Sequence, residues 1–330
     1  VNNNNNNKNK NKNNNKNKNK NKNIFFVFNI YMFGSASEAR YIYIITILAI
    51  ILMVLYLLKK HKTNNEGFTQ QGPFIVKRED DIYDDFYAEV YDQLYNPKEN
   101  VSFITNLLIE DTNLDKRNSV ILVIGCETGE QSNSLQEKGF NVFIVDKSKD
   151  MIDNAISKYP NIQSKVADIE IPMNYDQATF THVLCIGFNL YRIKDKKSFF
   201  RNIYHWLKPQ GYFIIQLADR DRFNTIIAGG KSSILSEPHK FTEERITETD
   251  IDFGSFRYKS KYEFNSDIVT VSEMFTDLRS NNVRKNEQTL YMENIETIVY
   301  EARLCGFRVK VKHSLYNDEN QFIYIFERPH

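Results

Sequence analysis

Apolar and polar positions change pattern several times along the chain. Val1 to Asn23 is Asn and Lys with no apolar residue after Val1, so it has nothing to bury and is expected to be disordered. Residues 24–40 make a short membrane-proximal segment. Tyr41 to Leu58 then runs without a charge, YIYIITILAIILMVLYLL, which as a helix rises about 27 Å against a hydrocarbon core of ~30 Å. Tyr at both ends suits the membrane interfaces, and Lys59, Lys60 and Lys62 follow at once. The pattern predicts a single-pass transmembrane helix with the remainder on the cytosolic side, taking Met32 as the start. The A-rich codons of Asn and Lys leave two readings of the tail before it: a translated upstream repeat, or a true disordered segment. Residues 59–77 read as a basic flank and a Gly- and Pro-containing linker, which starts the globular domain at 78.

Beyond the linker the period becomes helical. Tyr83, Phe86, Tyr87, Val90, Tyr91 and Leu94 form one apolar stripe, and a second helix is expected to include Val101–Leu108. Short unbroken apolar runs then alternate with helical stretches. Strands are expected at Val120–Ile124, Val142–Val145, Ser164–Ala167, Phe180–Ile186 and Tyr212–Leu217, with a helix at Lys196–Leu207. Unbroken apolar strands separated by helices indicate a parallel sheet buried on both faces. Residues 220–294 interrupt this order with alternating runs at Ser255–Phe264, Ile268–Asp277 and Val283–Leu290, expected to form an antiparallel β cap. A helix at Glu293–Leu304 and strands at Arg308–His313 and Gln321–Phe326 close the chain.

Composition narrows the partners. From Thr63 onward 32 Lys and Arg face 41 Asp and Glu, a balance of about −9 that argues against a nucleic-acid partner. Three Cys without a CxxC signal neither a disulfide framework nor structural zinc. The six His show no metal-ligand spacing, so no metal is expected, and His182 within a predicted strand reads as core.

Ligand chemistry is expected where the first buried strand meets a glycine loop and a helix, because backbone N–H groups converge there. That loop is Gly125-Cys126-Glu127-Thr128-Gly129. A dinucleotide GxGxxG pattern would need glycine at Glu127 and Glu130, whereas GxGxG lacks only the glycine at Glu127.

With Asp146 closing the second strand, VADIE at Val166–Glu170, LCIGFNLYRI at Leu184–Ile193 and WLKPQGYFIIQL at Trp206–Leu217, the order of parts resembles the class I S-adenosylmethionine-dependent methyltransferase family from about Asp81 to Pro329. The resemblance implies an α/β Rossmann-like sheet with helices on both faces and a closing antiparallel strand pair. It implies S-adenosylmethionine as cofactor, held by Tyr91, Gly125, Cys126, Glu127, Thr128, Gly129, Asp146, Lys147, Met151, Asp168, Ile169, Ile186 and Gly187. Asp146 would take the ribose hydroxyls, Met151 would pack on the adenine, and Asp168 would face its amino group. Asn189, Tyr191 and Asp219 are the catalytic candidates. Two residues depart from the family: Val123 stands where it usually carries Asp, and Glu127 replaces the middle glycine. The expected function is a membrane-anchored methyltransferase with a small-molecule or lipid-like acceptor. An inactive binding scaffold is the alternative, and a dinucleotide-dependent oxidoreductase a more distant one.

Overall fold

The computed structural model describes residues 36–65, 72–96, 98–230, 245–316 and 318–330. The chain separates into two units after residue 67. In the first, helix α1 spans Ala36–Asn65. Its side chains are described over 41–56, where every large apolar one is exposed, Leu52 at 63% among them. Among the described residues no helix is long and apolar enough to cross a membrane. The expected span Tyr41–Leu58 falls within α1, but the part with described side chains rises only about 24 Å, and the side chains of Leu57 and Leu58 lie outside it. The Asn/Lys tail, residues 24–35 and residues 66–71 also lie outside the described residues.

The second unit holds two sheets. The larger contains β2 (Val120–Ile124), β3 (Asn141–Asp146), β4 (Gln163–Val166), β5 (Phe180–Cys185), β6 (Leu207–Ala218), β11 (Arg308–Ser314) and β12 (Gln321–Glu327). Their order is β11-β12-β6-β5-β2-β3-β4. β12 runs antiparallel to both β6 and β11, while β4, β3, β2, β5 and β6 are parallel. This is the expected closing pair, which separates the fold from a run of further parallel units.

Alternate residues of β2 supply both faces of the sheet. Leu122 and Ile124 pack with Phe199, Ile203 and Trp206 of α6 (Lys196–Trp206) and Ile298 of α7 (Ile295–Leu304). Ile121 and Val123 pack with Leu107 of α3 (Lys98–Asp111), Leu135 of α4 (Glu130–Glu137) and Ile152 of α5 (Lys149–Lys158). Side-chain caps fix where several helices begin: Ser148 accepts from Met151 N, Asp195 from Ser198 N, and Asn294 from Thr297 N.

The cap is larger than its alternating patterns predicted. β8 (Phe256–Asn265), β9 (Ile268–Asp277) and β10 (Val283–Tyr291) fall where expected, but β7 (Glu248–Asp252) and β1 (Phe74–Arg78) extend the sheet to the order β1-β10-β9-β8-β7. β1 pairs in parallel with β10 from Phe74↔Val283 to Arg78↔Glu287. The end of the expected linker is therefore part of the cap, and the folded unit begins before residue 78. Against this sheet packs α2 (Asp85–Tyr95), whose Tyr87, Val90 and Leu94 share a cluster with Phe256, Tyr258 and Phe275.

Candidate active site

At the carboxyl end of β2 the glycine loop turns through conformations that ordinary side chains resist. Gly125 has φ +68, and a Cβ there would stand 2.3 Å from the Asn189 amide. Gly129, at φ +87, caps α4. Glu127 takes φ +48 between them although it carries a side chain. Its Oε1 lies where a Cβ on Gly187 would come within 2.5 Å, so the missing side chain at 187 makes room for the carboxylate.

Asp146 ends β3 beside this loop and accepts Cys126 N at 3.1 Å and Ser148 N at 2.8 Å. Burial pushes its carboxyl up, and the two backbone donors oppose that shift. Burial pushes the Glu127 carboxyl to about 7; the Tyr91 hydroxyl beside it acts in the opposite sense, and Asp92 and Asp146 add to the rise.

These groups open into one cavity of about 230 Å³ that reaches from the loop to the cap. Of the expected cofactor residues, Tyr91, Glu127, Asp146, Met151, Ile186 and Gly187 line it. Gly125 and Gly129 shape the loop behind the wall. Cys126 is buried in the core, and Thr128 donates to Asp92 of α2. Lys147 does not line the cavity and pairs with Asp80 at 2.6 Å and Asp168 at 3.1 Å. Asp168 also accepts Glu170 N, and Ile169 packs on the core. Neither Asp168 nor Ile169 lines the cavity.

The catalytic candidates divide. Asn189 lines the cavity, but its amide donates to Ile186 O at 2.8 Å and Gly125 O at 3.3 Å, which makes it a support for the loop. Tyr191 is fully buried, its hydroxyl accepting from Ala218 N at 2.7 Å, with no face toward the cavity. Asp219 also lies outside, holding Asp221 N at 3.1 Å. His182 is buried between Thr181 and Thr112, and burial lowers it to about 4. Among the described residues no group of His, Cys, Asp and Glu is placed to hold a metal ion.

Several cavity residues besides Tyr91 escaped sequence reasoning as site residues. Tyr83, Tyr87 and Tyr95 recur with Tyr91 every four residues, and their rings touch in series at 5.3, 6.1 and 4.8 Å. Burial raises the phenols of Tyr87, Tyr91 and Tyr95 well above their usual value, so they stay protonated. Arg192 stacks 3.8 Å over Tyr83 and reaches Asp80. From the cap come Tyr262, Glu273 and Gln288, and from β6 Gln216, which accepts Gly187 N at 2.9 Å.

Residues 121–211, under a third of the chain, match a family profile described as a methyltransferase domain. Among solved structures the chain is similar to an S-adenosylmethionine-dependent methyltransferase from Clostridium acetobutylicum, at 19% identity, covering 74% of this chain and 98% of that one, with a TM-score of 0.57. The CcbJ methyltransferase of Streptomyces caelestis is similar at 13% identity over 74% and 96%, with a TM-score of 0.57. The sugar N-methyltransferase KedS8 of Streptoalloteichus sp is similar at 16% identity over 70% and 87%, with a TM-score of 0.50. No curated protein matches the chain by sequence. Sheet order, glycine loop and family profile agree, and the chain carries a methyltransferase domain built on the class I S-adenosylmethionine-dependent fold.

Proposed function

We propose that the cavity binds S-adenosylmethionine at its loop end and a small-molecule or lipid-like methyl acceptor at its cap end. The carrying observation is that one cavity joins Glu127 and Asp146 of the sheet to Glu273 and Gln288 of the cap. The residues present fit the cofactor. The glycine loop excludes a Cβ at 125, and each Asp146 oxygen holds one backbone donor and keeps a lone pair for a ribose hydroxyl. Glu127 offers the ammonium of the methionine end a carboxylate where Val123, 1% exposed in the sheet, offers none.

When bound, the cofactor supplies a methyl group already activated on a sulfonium. The protein's own part is then to align the acceptor and keep water out, and alignment alone can supply most of the catalysis. The tyrosine stripe of α2 forms one wall for that purpose, and its protonated phenols orient neighbours by donating hydrogen bonds.

Two measurements test this reading. Asp146→Ala should weaken S-adenosylhomocysteine by about 1.5–3 kcal/mol, the range for hydrogen bonds to a charged group. Unchanged affinity by calorimetry in a normally melting protein removes Asp146 from the site. Tritium from the labelled cofactor should enter small acceptors in lysate fractions; tight S-adenosylhomocysteine binding without any transfer would favour the scaffold reading instead.

The same reading anchors the chain in a membrane through Tyr41–Leu58, with the catalytic domain on the cytosolic side. It is supported by the uncharged run, the following lysines and the exposure of every large apolar side chain over 41–56. The full chain should stay in the pellet on alkaline extraction and be released when residues 41–58 are deleted. A glycosylation acceptor introduced near Gly67 should remain unmodified, and its modification would place the domain on the other side.

A further inference from the structure

At its cap end the cavity wall carries a second carboxylate. Glu273 stands on β9 and is 4% exposed. Its Oε1 accepts the hydroxyls of Tyr258 at 2.8 Å, Tyr95 at 3.0 Å and Tyr87 at 3.1 Å. Its Oε2 accepts the Asn286 amide at 3.0 Å. Among the described residues Glu273 makes no ion pair; Arg284, two positions from Asn286 on β10, donates to Asp84 and to Asn286 Oδ1 and reaches Glu273 only through that amide.

A charge taken out of water is costly unless hydrogen bonds or a counter-ion replace the lost solvation. Four neutral donors replace the hydrogen bonds here and leave the charge in place. The hydroxyls of Tyr87, Tyr95 and Tyr258 are turned to Glu273, so around this carboxylate the cavity presents negative charge, oxygen lone pairs and aromatic side chains. The rings of Tyr87, Tyr95 and Tyr262 line it together with Val271 and Leu290. Ring faces attract cations, and more strongly once water is excluded. A carboxylate meets like charge here and an alcohol gains nothing from the charge, whereas an ammonium finds a counter-charge, acceptors and an aromatic wall.

We propose that the cap end of the cavity selects an acceptor bearing a protonated amine, drawn in by Glu273 and the tyrosine rings and methylated on that nitrogen. The proposal rests on the methyltransferase reading above. The bound ammonium releases one proton to water and so exposes its lone pair. The new N–C bond forms as the methyl C–S bond breaks, and the bonding pair stays on sulfur. Glu273 touches neither reacting bond and acts as a specificity residue.

The test uses the full chain in detergent with S-adenosylhomocysteine at saturation, and calorimetry with three matched probe pairs: 2-phenylethylamine and 2-phenylethanol, cyclohexylamine and cyclohexanol, glucosamine and glucose. At least one amine should bind about tenfold or more tightly than its alcohol at neutral pH, a difference near 1.4 kcal/mol. Glu273→Gln keeps the shape and removes the charge. It should bring that ratio below about twofold and leave S-adenosylhomocysteine affinity within the same margin. Equal binding in all three wild-type pairs overturns the proposal, as does an amine preference that survives Glu273→Gln. Should the variant fail to fold, the wild-type ratios still decide. Loss of S-adenosylhomocysteine binding by the wild-type chain would sink the methyltransferase reading instead, and the amine ratio measured without it would still report on Glu273.

Discussion

Arg284→Ala should cost the catalytic unit about 1.5–3 kcal/mol of stability, the range for hydrogen bonds to a charged group, because Asp84 is 21% exposed and keeps Lys77 at 3.4 Å as a second cation. Arg284 is 2% exposed; its Nη1 donates to both oxygens of Asp84 at 2.8 and 2.9 Å, while Nη2 donates to Ile82 O and Nε to Asn286 Oδ1, each at 2.9 Å. Asp84 is the N-cap of α2, so one side chain ties a cap strand to the start of the tyrosine helix. Arg284→Lys should rescue little, because an ammonium cannot reproduce a planar fork satisfying four acceptors. Urea unfolding is the direct measurement; a loss below about 1 kcal/mol would mean that the cap is held by its sheet alone.

Glu127→Gln is expected to move stability and affinity in opposite directions. An unfolded glutamate titrates near 4.5 and the folded Glu127 near 7, with burial the main cause. Below 4.5 both states are protonated and the residue contributes nothing. Between these values the folded protein holds a proton that the unfolded chain has released, so stability falls as pH rises, and above 7 the full cost remains. At pH 8 Glu127→Gln should therefore stabilise the cofactor-free domain by about 1–3 kcal/mol, a gain that fades toward pH 5. The same change should weaken S-adenosylhomocysteine by about 1–2 kcal/mol at pH 8, through loss of a charge-assisted partner for its ammonium. Wild-type affinity should fall as pH drops through 7, and the variant should lose that dependence. Calorimetry showing equal affinity for the two proteins at pH 8 would point the carboxylate away from the ammonium. Glu127→Gly should not tighten binding; a tenfold gain would make Glu127 an obstruction.

Much of this architecture could be read in the chain because the sheet strands are unbroken apolar runs and the helices carry single stripes. What escaped has identifiable causes. β1 has only five residues, and its partner β10 lies about 200 positions away, so nothing local announces the pairing. β7 reads ETDID, which lacks the apolar alternation that marks a strand. Tyr191 sits on a short turn after β5, where spacing does not reveal which way a side chain faces. Glu273 was readable in principle: Val269, Val271 and Phe275 occupy the inward phase of β9, and a carboxylate in that phase is an anomaly with a purpose. Asp146 could be singled out because its position at a strand end and its chemistry pointed the same way, and it does line the cavity.

The contact between Glu127 and Gly187 also limits how this loop can be redesigned. Gly187 has φ +65, so any side chain there strains the backbone before the carboxylate is considered. A Cβ would in addition stand 2.5 Å from Glu127 Oε1 and oblige that side chain to turn aside. A change at 187 therefore re-aims the carboxylate at 127 without touching it, and the two positions have to be varied together.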